Sequence, residues 1–309
     1  MFPTINPNSE MFLSNLQQIE NRMSTAEQQL SSGLRVSVAS DDPDEVSSIL
    51  QLRAQIAGVE QTQQNISGVT PQVESAESSI QQAIQVLDTA TSLATEAAGS
   101  TSDADQRLDA VPQMQGILQQ LVSLSQTTAN GQYIFSGNQS GQPQYTLAAG
   151  GDTVTQNFEA GSPPEIADPN GVMISLGLTA QQIFDDQVGG GNGTGNPAPD
   201  NVFGAVTGLI TALQNNDSNG IQTALTNLQA ASQHLNDESS VYGAAQNNLT
   251  AAGNMASQSL TQLQQQLSDE QDADAAQASL DLTEASTDEQ AAMSAQSMLK
   301  PQSLFDYLS

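Results

Sequence analysis

The stretch LSSGLRVSVASDDP, residues 30–43, closes one amphipathic helix and opens another, and the organisation of the chain follows from it. Upstream, Phe12, Leu16, Ile19, Met23, Ala26 and Leu30 recur at alternating steps of three and four. That spacing is an a/d seam, flanked by Gln, Asn, Ser and Glu. Gly33 suits the left-handed position that ends a helix. Val36 and Val38 alternate with serines, as in a short extended segment. Asp42 is then placed to cap a second helix, with Pro43 at its first position and Glu45 at its third, a capping box. Asp44 and Glu45 also sit against the positive end of that helix. The stretch therefore predicts a helix, a link and a helix.

Downstream, Val46, Ile49, Arg53 and Ile56 begin the second helix, and Ile66, Val69, Val73, Ala76, Ile80, Ala83, Leu87, Ala90, Ala94 and Ala97 continue it. Pro71 is expected to kink or divide this run, because it lacks the N–H that an interior turn needs. Gly99 and Ser100 stop it, and Thr101-Ser102-Asp103 opens a third helix through Leu108, Met114, Leu118, Leu121 and Leu124. NGQYIFSG at 130–137 reads as turn, strand, turn. Residues 138–200 are rich in Gly, Pro, Asn and Asp, with strand candidates at Thr153-Val154, Phe158 and Val172–Leu176. GGGNGTGNPAPDN at 189–201 is a flexible connector. Helices are predicted again over Val202–Leu213 and Ile221–Leu235, and a final pair over 238–300. The fold class is mainly α, with long narrow-seamed helices at both ends and a small β-rich domain inserted between helical halves.

Composition supports that reading and narrows the function. Hydrophobic residues are 37% of the 309 and aromatics only 4%, with no tryptophan, so a large compact core is not expected. The formal net charge is −29, and Arg22, Arg35, Arg53, Arg107 and Lys300 are the only basic residues. Such a surface repels phosphate, which argues against nucleic acid and anionic membranes as partners. There is no cysteine, hence no disulfide framework and no thiolate nucleophile or ligand. No run approaches the roughly 18 apolar residues of a membrane span. MFPTINPNSEMFL has neither the basic n-region nor the continuous apolar h-region of a cleavable signal, so if the protein leaves the cell another route is expected.

Chemistry-bearing patterns are sparse. His234 is the single histidine and falls in a helical stretch beside Leu235, where a surface or seam position is expected. G-x-S-x-G and P-loop motifs are missing. NNDSNG at 215–220 imitates the start of a calcium loop, but Thr226 stands where a bidentate Glu is needed, so a turn between helices is expected. Asp269, Glu270, Asp272 and Asp274 fall within helical periodicity and read as a solvated face. Neither an enzyme, a cofactor nor a metal site is expected.

LSSGLRVSVASDDP resembles the N-terminal joint of bacterial flagellins and their relatives, and QDADAAQASLDLTEAS at 271–286 resembles their C-terminal helix. NGQYIFSG and the ending SLFDYLS are similar to the hook-associated protein 3 family, the hook–filament junction proteins. The resemblance covers about residues 1–137 and 205–309. It implies long antiparallel helices from both chain ends: a terminal coiled-coil core of 1–40 and 268–309, a helical rod of 41–137 and 202–267, and an outer β-rich domain of 138–201. It implies a structural protein of the flagellum, exported by the flagellar type III apparatus and located outside the cell. The implied partners are further copies in a ring or helical layer, hook-associated protein 1, flagellin, and an export chaperone at the C-terminal segment around Leu282–Leu308.

The expected assembly seam comprises Phe12, Leu16, Ile19, Met23 and Leu30 with Leu299, Leu304, Phe305 and Leu308. Its burial does little more than offset the entropy of ordering two helices, which argues for further burial between subunits. Gly33, Arg35, Asp41, Asp42 and Pro43 are carried over as the joint between inner core and second layer. Arg35, a lone cation there, is the candidate to pair with a neighbouring subunit's carboxylate. A divergent flagellin that forms the filament itself is the first alternative. An exported coiled-coil adhesin, holding a ligand in its middle domain, is the second.

Overall fold

The computed structural model describes residues 7–99, 103–159, 161–188 and 197–298. Seven helices and six short strands follow in order: α1 (Pro7–Ser32), α2 (Val46–Ala98), α3 (Ala104–Ser125), β1 (Thr128–Ala129), β2 (Gln132–Tyr133), β3 (Tyr145–Leu147), β4 (Val154–Gln156), β5 (Glu165–Ala167), β6 (Met173–Ser175), α4 (Ala180–Phe184), α5 (Val202–Gln214), α6 (Ser218–Gln271) and α7 (Ala275–Met298). The chain forms two compact units, one of residues 1–58 with 259–309 and one of 59–258.

In the first unit α1 packs against α7. Arg22 reaches Glu284 and Asp288 at 3.8 and 3.4 Å, while Leu34 bridges Asp272, so a step forward along α1 is a step back along the returning chain. The pair is antiparallel. Ala26, Ala278 and Ala285 are its buried contacts, and their small side chains allow close approach at little gain in apolar burial.

The second unit owes its cohesion to one continuous core. Val73, Ile80 and Leu87 of α2, Met114, Leu118 and Leu121 of α3, and Leu209 and Leu228 of α5 and α6 are all buried within it. The strands form three separate two-stranded antiparallel hairpins, β1–β2, β3–β4 and β5–β6. Asn130 and Gly131 turn the first, with φ of 53° and 78°, as a two-residue primed turn requires. The described residues of the segment 138–201 send Tyr145, Leu176 and Phe184 into the same core as the helices. There Phe184 meets Phe135 edge-on at 5.9 Å and stacks on Phe203 at 5.6 Å.

Several local expectations change. Pro71 lies inside an unbroken α2, which neither divides nor ends there. Its ring is exposed, and the partner it would have bonded, the carbonyl of Ser67, belongs to an exposed residue that water can serve. Burial of Ile66 and Val73 on either side holds the helix through the defect. The stretches expected as separate helices over 221–235 and beyond 238 form one helix, α6, since Asn236-Asp237 offers neither proline nor glycine to stop it. The acidic run 269–274 is not continuous helix either: the break between α6 and α7 falls inside it. NNDSNG does form the link between α5 and α6, with Asn216 at φ 50°. Asp103 caps α3 in a reciprocal box with Gln106.

Candidate functional site

The residues carried over as a joint lie together in the first unit. Helix α1 ends as Gly33, at φ 72°, donates its N–H to the carbonyl of Gln29 at 2.8 Å. A side chain at that φ would be strained, so glycine is what lets the chain turn out of the helix here. The link then runs against the break between α6 and α7. Arg35 N donates to Gln271 O at 2.7 Å, Val36 N to the same oxygen at 3.2 Å, and Ala273 N to Gly33 O at 2.9 Å. Two chain crossings 235 residues apart are thus clamped by backbone bonds, where each would otherwise leave helix-end groups unpaired.

Arg35 is the hub. Its guanidinium donates to Asp42 Oδ2 at 2.9 Å, to Glu45 Oε2 at 2.6 Å and to the carbonyl of Glu270 at 2.6 Å. The bonds to Asp42 and Glu45 hold its pKa above the ordinary guanidinium value, against a small opposing effect of burial. The expected capping box is accordingly replaced. Asp42 and Glu45 turn their carboxylates to Arg35, residues 43–45 form a turn, and regular helix begins at Val46. A charge-assisted bond outcompetes a neutral backbone donor for the same oxygens.

Asp41 organises the rest of the link. Its Oδ2 accepts the N–H groups of Val38 and Ser37, each at 2.9 Å, and the Ser37 hydroxyl at 3.2 Å. Those backbone donors, Val38 foremost, hold its carboxyl below the usual carboxylate range. Across the joint, Asp274 caps α7 by accepting from Ala276 N and Gln277 N, and Ser268 donates to Asp272. These caps, and the Gln271 and Glu270 carbonyls, were not legible as partners of the link. No local spacing connects 33–45 to 268–277.

Of the expected seam, Phe12, Leu16, Ile19 and Met23 are half-buried in α1, and Leu30 is 39% exposed at its end. Leu299, Leu304, Phe305 and Leu308 lie outside the described residues. His234 stands in the second unit, where its Nε2 is 2.9 Å from Gln182 O and its Nδ1 3.9 Å from Asp200 and Glu238. Burial raises the Glu238 carboxyl. Among the described residues no cluster of His, Asp or Glu is disposed to hold a metal ion, and no helix is long and apolar enough to cross a membrane. The arrangement is a hydrogen-bonded, ion-paired joint between the α1–α2 link and the α6–α7 break.

Residues 5–140 match the bacterial flagellin N-terminal helical region. Flagellin B of Helicobacter pylori is 30% identical over 137 residues, 43% of this chain and 27% of that protein. Flagellar hook-associated protein 3 of Salmonella typhimurium is 32% identical over 161 residues, 51% of this chain and 49% of that protein. The chain thus spans between a quarter and a half of the length of these curated relatives. Among solved structures, flagellar hook-associated protein 3 of Legionella pneumophila superposes with a TM-score of 0.60 at 15% identity, covering 72% of this chain and 98% of that one. The flagellar junction protein FlgL of the same organism gives 0.52 at 15% identity, covering 66% and 99%. Over residues 5–140 the chain is similar to the bacterial flagellin N-terminal helical region, and its fold is that of the flagellar hook-associated and junction proteins.

Proposed function

We propose that this chain is a structural axial protein of the bacterial flagellum, forming the junction layer between hook-associated protein 1 and the flagellin filament. The carrying observation is the antiparallel pair α1–α7, whose apolar seam a single copy leaves half-covered. A helix pair with so little buried area is marginal alone and gains by packing against further copies. The names of the Salmonella and Legionella relatives support the junction position over other flagellar layers.

In this reading residues 1–40 with 268–309 form the coiled-coil core, 41–137 with 202–267 the rod, and 138–201 the outward domain. Phe12, Leu16, Ile19, Met23 and Leu30, with Leu299, Leu304, Phe305 and Leu308, form the assembly seam. Gly33, Arg35, Asp41, Asp42 and Pro43 belong to the joint between inner core and second layer. The protein leaves the cell through the flagellar type III apparatus, after a chaperone has held its C-terminal segment. It needs no cofactor and catalyses no reaction. The match to flagellin B favours one second reading, a filament-forming flagellin.

Electron microscopy of a strain lacking the protein, with a blot for flagellin in the medium, separates these. Hooks without filaments and shed flagellin are the expected result. Intact filaments would overturn the junction role. Missing filaments with no other flagellin made or shed would identify this chain as the filament subunit.

A further inference from the structure

His234 is the only histidine of the chain, and the second unit places it where its charge matters. The side chain of this α6 residue is 13% exposed, and its Nε2 lies 2.9 Å from the carbonyl oxygen of Gln182 in α4. A carbonyl can only accept, so Nε2 carries a proton there. Nδ1 then faces two carboxylates, Asp200 and Glu238, each at 3.9 Å. Among the described residues no lysine or arginine pairs with either carboxylate, the arginine ion pairs lying in the first unit.

The titratable neighbours of the ring are acidic on each element. Glu238 follows one turn later on α6, with Asp237 beside it. Asp186 and Asp200 come from the two ends of the connection between α4 and α5, which Ala198 N ties together by donating to Asp186 O at 3.0 Å. Helices α4 and α5 contribute no titratable side chain of their own. Asp185, after α4, already has its oxygens taken by Tyr145 Oη at 2.9 Å and Asn201 Nδ2 at 2.7 Å. With a proton on both nitrogens, the imidazole donates to Gln182 O and stands as a counter-charge between Asp200 and Glu238. Without the second proton, the Nδ1 lone pair faces those carboxylates, and the acidic groups around it repel one another.

We propose that His234, Glu238 and Asp200 form a pH-sensitive clasp, which holds α4 and residues 197–201 against α6 while it keeps a proton and slackens on losing it. One proton, on the ring or on a carboxyl, suffices to relieve the repulsion, so the group titrates as a unit. Burial raises the Glu238 carboxyl, with Asp237 and Asp186 adding to the effect and His234 opposing it. A raised group stabilises the fold below its ordinary range and stops doing so as pH rises through the folded value. Imidazole and carboxyl therefore both close the clasp at the acid end. This device goes beyond the assembly reading above and does not rest on it.

Amide hydrogen exchange of the full purified chain between about pH 5 and 8, corrected for the intrinsic pH dependence of exchange, tests the clasp. The amides of Ile183, Asp185 and Ala198 are hydrogen-bonded at the clasped segments. Their protection is expected to fall about threefold to tenfold as pH rises, with Leu118 and Leu209 unchanged. The fall should follow the titration of the single imidazole, read by NMR on the same sample. His234→Gln should remove the pH dependence, and Glu238→Gln, which takes away one repelling charge, should reduce it. Urea unfolding at one pH checks that each variant is folded, and the native chain decides the matter even where a variant is not. Protection that stays flat over this range, a fall that does not track the ring, or the same fall in a folded His234→Gln chain would each overturn the proposal.

Discussion

Residues 59–258 and the unit built from the two chain ends solve the same problem, a helix seam low in large apolar residues, in opposite ways. The first gathers helices and hairpins around one aromatic centre, with Phe135, Tyr145, Phe184, Phe203 and Tyr242 all buried. The second buries only Ala26, Val36, Ile49, Leu52, Ala278 and Ala285 among its described hydrophobic residues, half of them alanine. What holds its link in place is instead polar: the backbone clamp between 33–36 and 271–273 and the Arg35 hub. The contrast teaches where stability is intrinsic and where it is left to assembly. Tyr242 makes the point at atomic scale, since its buried hydroxyl both accepts from Leu178 N and donates to Leu178 O, leaving nothing for a partner to supply.

The largest break in the comparison comes from the aromatic centre. Phe184→Ala removes a fully buried ring with two ring neighbours and is expected to cost about 3–5 kcal/mol in urea unfolding of the full chain. Phe12→Ala, at a half-buried seam position, is expected to cost on the order of 1 kcal/mol or less. Equal losses would mean that the terminal pair is as well packed as the core of the second unit.

A smaller effect is expected at the joint. Arg35→Ala removes two part-exposed ion pairs and the bond to Glu270 O, with a loss on the order of 1 kcal/mol. Its signature is local: faster hydrogen exchange at the Arg35, Val36 and Ala273 amides, with Leu118 and Leu209 unaffected. Unchanged exchange at the joint would mean that the backbone clamp suffices without the hub.

The smallest effect is a pH dependence confined to the link. The folded state holds the Asp41 carboxyl below its ordinary value, so what it contributes is fully present above the ordinary Asp pKa of about 4. That contribution is lost as pH falls through the lower folded value. Protection of the Ser37 and Val38 amides should therefore persist at neutral pH and fall in that acid range. Asp41→Asn should abolish the pH dependence of that protection, and its persistence in the variant would assign it to another group.

Much of this was legible in the sequence because it is local. The three-and-four spacing of Phe12 through Leu30, the helix stop at Gly33, the cap at Asp103 and the Asn130-Gly131 turn depend on residues within one or two turns of each other. Backbone sterics and side-chain spacing decide such features without reference to the rest of the chain. Where local rules competed with packing, packing won. Pro71 is expected to kink or divide a helix, yet α2 runs undivided past it, with Ile66 and Val73 buried on either side. Asp42 and Glu45 have the spacing of a capping box, yet a guanidinium within reach takes both carboxylates. The break between α6 and α7 has no glycine or proline to announce it; it lies where the Gly33–Val36 link hydrogen-bonds to residues 271–273.

By itself, then, the sequence determined the long helices, their narrow seams, the position of the link and the acidic, cysteine-free surface. Only the tertiary structure decided that Arg35 is committed within its own chain, and that the hairpins share a core with the helices. The physical reason is separation along the chain: hydrogen bonds and buried contacts act over a few ångströms in space, and pairs such as Arg35 with Glu270 meet only after the whole fold has formed.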